Sequence, residues 1–264
     1  MSEETETIEE LDRSGATALI RWVFEWVFWR VNKDYDPAAG HDQAVVGLLA
    51  YKYACDLFNR LAASGRYRLP AGESSDRGLD LLRDGLTGEA FEAMMQLDRA
   101  ILRRNDFLGS FGWSVGDTRW LLQSMPFGGI DKISWVDKSD TKQLVGRQHY
   151  DSTDSKLWDL ADYGLTVDES AFADEFRGTT FVLAHGFNGE TGAYEVFFGR
   201  SRAADQEGEG SWHWRRLIAA GGFGSPRPQG GEEKPVFPGT PPKPNVPDAF
   251  VQIRQQADDA ATGS

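Results

Sequence analysis

Three residues open the search for chemistry: Asp131, Asp140 and Lys142 form a carboxylate followed by a carboxylate-x-Lys pattern, with His149 and Asp151 close behind. Two such carboxylates hold a divalent cation by hard oxygen ligation and a lysine polarises an attacking water, which is the chemistry of a metal-dependent hydrolase or nuclease. The spacing argues against it, because Asp140 and Lys142 fall in what reads as the polar tip of a hairpin. The run from His149 to Ser155 has neither the Asp-x-Asp-x-Asp-Gly of a calcium loop nor the paired His or Cys of a zinc site. We therefore expect no metal and no cofactor, and keep the hydrolase as an alternative reading.

A second set lies near the C-terminal end of the hydrophobic sequence. Residues 211–218 read as a strand, so period two places Trp212 and Trp214 on one face and His213 and Arg215 on the other. With Arg200 and Arg202 from the preceding strand this makes a small cationic surface able to take a carboxylate or phosphate, since Arg binds both through paired N–H donors. The acidic loop carrying Asp205, Glu207 and Glu209 offers those arginines nearer partners, a common fate of exposed charges. His185 and Tyr194 are expected to approach each other across the hairpin before it, and complete the candidate binding set.

Gly112-Trp-Ser-Val-Gly116 has the spacing of a serine nucleophile elbow, and Val182-Leu-Ala-His-Gly-Phe187 that of an oxyanion-hole strand. Their order is reversed relative to the hydrolase fold, and too little chain follows for a parallel sheet with crossover helices. Ser114 is read instead as the cap of a helix beginning near Asp117. No phosphate-binding glycine loop is present.

The chain has 264 residues, 40% of them hydrophobic, with nine Trp and sixteen Phe, enough apolar side chain for a packed core. A formal charge of −13 makes the whole molecule a poor partner for nucleic acid or an anionic membrane, while leaving room for a local basic patch. Cys55 is the single cysteine, in an apolar helical stretch, so it reads as a buried core thiol in a reduced, cytoplasmic protein. The first ten residues carry five Glu and no Lys or Arg, the opposite of a secretory leader.

Apolar spacing of three and four predicts helices over 12–32, 41–64 and 88–104, with a short one over 73–84. A helix over 117–125 is expected next, followed by a hairpin of 131–137 with 143–148 and by acidic helices over 155–163 and 168–176. Strands over 179–187 and 193–200 flank Asn188-Gly-Glu-Thr-Gly192, a turn signal, and 211–218 adds a third. Eight of the eleven prolines lie between Pro226 and Pro247, so the end reads as a flexible tail. The expected architecture is α+β: a flexible acidic leader over 1–11, one domain over 12–222 with helices to about 125 and a small, mostly antiparallel sheet after, then a tail over 223–264. The expected function is a non-catalytic binding or protein-interaction protein, an accessory subunit whose partner is another protein. Part of that expectation rests on a Trp-rich first helix more apolar than one core requires.

Overall fold

Gly15 adopts a left-handed backbone at φ 82°, and there the chain turns from one helix into another, α1 (Glu3–Ser14) and α2 (Ala16–Asp34). The computed structural model describes residues 2–65, 82–150, 176–203 and 210–223, all inside the unit Met1–Arg227. The expected acidic helix over 155–163, all of the one over 168–176 but its last residue, most of the one over 73–84, and the proline-rich tail lie outside the described residues.

The acidic leader is not a flexible extension. Ser2 accepts the N–H of Thr5, and Glu3, Glu4 and Glu6 occupy the first turn of α1, where negative charge is favoured by the helix dipole. Thr7 and Leu11 are its buried anchors. The expected single helix over 12–32 is therefore two helices.

In α2, Val23, Phe24, Trp26, Val27 and Phe28 are buried, while Arg21 and Glu25 stay exposed. Trp22 is half-buried and donates its indole N–H to the carbonyl of Ala90. This helix packs on α3 (Gln43–Gly65), on α4 (Gly88–Met95) and on the last strand of the sheet. Most of its aromatic surface is thus taken up inside the domain, with Trp29 left half-buried beside Trp26. Helix α4, capped by the Thr87 hydroxyl on the N–H of Ala90, ends well short of the expected 104. Arg103 and Arg104 are already a strand. No helix among the described residues is long and apolar enough to cross a membrane.

The fold is α+β, and its sheet runs in sequence order: β1 (Arg103–Arg104), β2 (Gly112–Val115), β3 (Thr118–Pro126), β4 (Thr179–Phe187), β5 (Ala193–Ser201) and β6 (Trp212–Gly222). Every pairing is antiparallel except β3 with β4. Strand β3 corrects the helix expected over 117–125. It lies inside the sheet with Thr118 to Gln123 all buried, so no alternation marks it as a strand. Ser114 caps nothing; it is buried in β2, and its hydroxyl lies 3.2 Å from the Asn105 side-chain nitrogen, which donates to it.

The hairpin expected over 131–148 is absent as well. Two 3-10 turns (Ile130–Lys132 and Trp135–Asp137) lead to a short helix, α5 (Asp140–Gly146). These pieces cover the outer face of the sheet, where Ile130, Ile133, Trp135 and Val145 pack against Leu121, Val182 and Ala184. Helices α1 to α4 cover the inner face, and the larger core lies there. Phe58 of α3 joins its layers, with ring centroids 6.1 Å from Phe24, 5.1 Å from Trp113 and 6.1 Å from Trp120.

Candidate anion-recognition site

Strand β6 does not keep the period expected of it. Arg200 pairs with Trp214 but Ser201 pairs with Trp212, so His213 is an extra residue, a bulge that reverses the phase of the strand. Trp214 then faces the helices and packs in the inner core, while Trp212 turns to the outer face, edge-on to Trp135 at 5.2 Å. The expected common face for the two tryptophans is corrected by that single inserted residue. Arg215 is carried to the outer face too. It makes a two-pronged pair with Asp131 at 2.7 and 2.6 Å and lies over the Phe197 ring, away from Arg200.

The inner side of the bulge is where charge collects. Arg200 is 3% exposed and lies over the Phe181 ring. Its Nη2 donates to the His149 carbonyl at 2.6 Å, and its Nη1 stands 3.9 Å from a Glu3 carboxylate oxygen. Nε and Nη1 have no hydrogen-bond acceptor among the described residues. Burial pushes the Arg200 pKa down, opposed by Glu3 and Tyr150. A buried guanidinium with open N–H groups is costly, and that cost is relieved by any acceptor placed against it.

His213 stacks on Tyr150, with ring centroids 4.2 Å apart. Burial, then the charges of Arg202 and Arg200, push its pKa down to about 4, so the ring is neutral at pH 7. The backbone N–H of Arg202 donates to the Ser211 carbonyl and ties the two strands together here. Trp214 donates its indole N–H to Glu3 at 2.8 Å, and Arg216 donates to Glu4 at 3.0 Å. Of the six binding candidates, Arg200, Arg202 and His213 thus share one locality. His185 and Tyr194 belong to the inner core, where the Phe28 ring lies 6.0 Å from the first and 5.0 Å from the second.

The hydrolase candidates are differently employed. Asp131 is held by Arg215, and Lys142 donates to the side-chain Oε1 of Gln123 at 2.8 Å. Burial and then Lys138 push the Lys142 pKa down to about 8, with Cys55 acting the other way; neither Asp131 nor Asp140 is among its causes. His149 is exposed and its backbone carbonyl accepts from Arg200; Asp151 lies outside the described residues. Among the described residues no three His, Cys, Asp or Glu side chains group as a metal site. Because the Asp131 carboxylate is 66% exposed, Asp131→Asn is expected to cost no more than about 1 kcal/mol in a urea melt.

Cys55 is buried, as expected, and burial raises its pKa despite a hydrogen bond with Tyr51 and the charges of Arg104, Lys52 and Lys142. It is an inert core thiol at neutral pH.

Glu3, Tyr150 and Trp214 are site residues that strand patterning alone does not nominate. Glu3 and Trp214 are 211 positions apart, and only the complementary charge of an acidic leader and a cationic strand hints at their meeting. The chain matches no protein-family model, no curated protein and no solved structure.

Proposed function

We propose that this is a non-catalytic binding protein of the cytoplasm, an accessory subunit that recognises an anionic group of its partner at Arg200, with Arg202 and His213 beside it. The observation that carries this reading is the pair of Arg200 nitrogens, Nε and Nη1, buried without a hydrogen-bond acceptor among the described residues. The two lie on different edges of the guanidinium, and a carboxylate or phosphate oxygen placed against either edge supplies a charge-assisted acceptor that the described residues do not. Tyr150, stacked on neutral His213, forms an aromatic wall at the same place. The single buried cysteine supports a reduced compartment.

Calorimetric titration with pyrophosphate and with a short glutamate-rich peptide tests the reading. Binding of at least one probe is expected, weakening steeply with added salt. Arg200→Lys keeps a charge but loses the planar fork, and is expected to weaken binding about tenfold, the loss of one charge-assisted hydrogen bond. Equal affinity in the Lys variant, or affinity indifferent to salt, would show that Arg200 is a structural cation and nothing more.

A further inference from the structure

Helix α1 reaches the cationic side of β6 with two adjacent carboxylates. Glu3 accepts the Trp214 indole N–H at 2.8 Å and stands 3.9 Å from Arg200, while Glu4 meets Arg216 at 2.9 Å. Trp214 and Arg216 are two residues apart on β6, hence on the same face of the strand. The contact is therefore a two-point match between neighbouring acidic side chains and alternate positions of one strand.

The fit at its deeper point is incomplete. At 3.9 Å Glu3 forms an ion pair with Arg200 but no hydrogen bond, and Nε and Nη1 are left without an acceptor among the described residues. The attachment of α1 is also light, since Thr7 and Leu11 are its buried residues whereas α2 buries ten. Gly15, at φ 82°, joins the two helices, and α2 begins there without a side-chain cap. Few contacts and a glycine junction are what a segment needs to open locally while the rest stays folded.

We infer that α1 is an internal stand-in for the ligand, and that the surface beneath it takes an acidic peptide segment of a partner protein, whose neighbouring carboxylates displace Glu3 and Glu4. This rests on the anion-recognition reading and names its ligand class and its control. A single phosphate reaches one of the two points; adjacent carboxylates on a peptide reach both. A carboxylate free of the helical frame also approaches Arg200 more closely than Glu3 does, and accepts the Nη1 N–H that Glu3 leaves open at 3.9 Å. Arg200 is nearly inaccessible with α1 in place, so the stand-in sets how readily the partner binds.

The test uses the full chain carrying Glu3→Gln and Glu4→Gln together, titrated calorimetrically beside the wild type. The probes are a synthetic peptide of residues 2–10, Ser-Glu-Glu-Thr-Glu-Thr-Ile-Glu-Glu, and inorganic phosphate. The double variant is expected to bind the peptide about tenfold more tightly than wild type, because the competing charge-assisted bonds are gone. Adding Arg216→Gln is expected to reverse most of that gain, while thermal melts confirm that each variant is folded. Equal peptide affinity in wild type and double variant overturns the stand-in, and leaves anion recognition standing if Arg200→Lys still weakens binding. Tightened phosphate binding with no peptide binding overturns the peptide assignment alone. Failure of both probes with both proteins overturns this inference and the reading beneath it.

Discussion

His185→Leu is expected to stabilise the protein by about 1–3 kcal/mol at pH 7, the usual cost of a buried polar group left without a partner. His185 is completely buried on the inner face of β4, 5.0 Å from the Phe24 ring and 6.0 Å from that of Phe28. Neither ring nitrogen has a hydrogen-bond partner among the described residues. Leucine has nearly the same volume and nothing to satisfy, so it removes the cost without opening a cavity.

The same residue makes the fold sensitive to acid. Burial, with a smaller contribution from the charge of Lys142, pushes its pKa down to about 3. In the unfolded chain a histidine titrates at about 6.5. Above that pH the ring is neutral in both states and stability is unaffected. As the pH falls below it, the unfolded chain takes up a proton that the folded one refuses, and stability is lost progressively toward pH 3. By pH 5 the loss from this one group is about 2 kcal/mol, at roughly 1.4 kcal/mol per pH unit. Urea melts of wild type and variant at pH 7 and pH 5 separate this from all other titrations, which both proteins share. The advantage of the leucine variant should grow on acidification. A constant difference between the two pH values would mean that the folded ring finds a proton partner.

Phe58→Ala is expected to be the most damaging single substitution in the inner core, at about 3–5 kcal/mol. The ring is completely buried and touches Phe24 of α2, Trp113 of β2 and Trp120 of β3, so its loss leaves a cavity where two helices meet two strands. Those neighbours are fixed by their own backbones and cannot collapse into the space. Against a total stability of about 5–15 kcal/mol, such a loss leaves a domain that unfolds at mild temperature. Leu48→Ala on the same helix is the control. Its side chain is 57% exposed, and the substitution should move the melt by no more than about 0.5 kcal/mol. Comparable losses at both positions would refute the assignment of Phe58 as the joint between the layers.

The elements that announce themselves in the amino-acid order are those whose pattern is local. The hairpin of β4 and β5 is legible because its turn is built from its own residues: the Asn188 side chain accepts the N–H groups of Glu190 and Thr191, and Gly192 takes φ 71°. Helices α2 and α3 are legible from their spacing of apolar residues. Strand β3 is not, because Trp120-Leu-Leu is buried on both faces and a continuous apolar run serves a helix equally well. Helix α1 is hidden by its charge, since twelve residues with few apolar anchors look like a solvated leader until the arginines they meet are known. The site is half legible for the same reason. Arg200, Arg202 and His213 follow from composition around a strand, but a one-residue bulge decides which side chains share a face, and no local pattern marks it.

The sheet order has a kinetic consequence. Because strand order equals chain order, β1 to β3 and β4 to β6 are two meanders whose internal pairings close short loops. The seam between them, where Thr118 meets Thr179 and Pro126 meets Phe187, joins segments some sixty residues apart; Arg119 and Thr180 across it are 61 positions apart. Loop-closure entropy makes that seam the slow event, so each meander has reason to form with its helices before the halves register. Substitutions inside a meander, whose pairings are already made when the seam closes, should then act mainly on the rate of folding, and those at the seam also on the rate of unfolding.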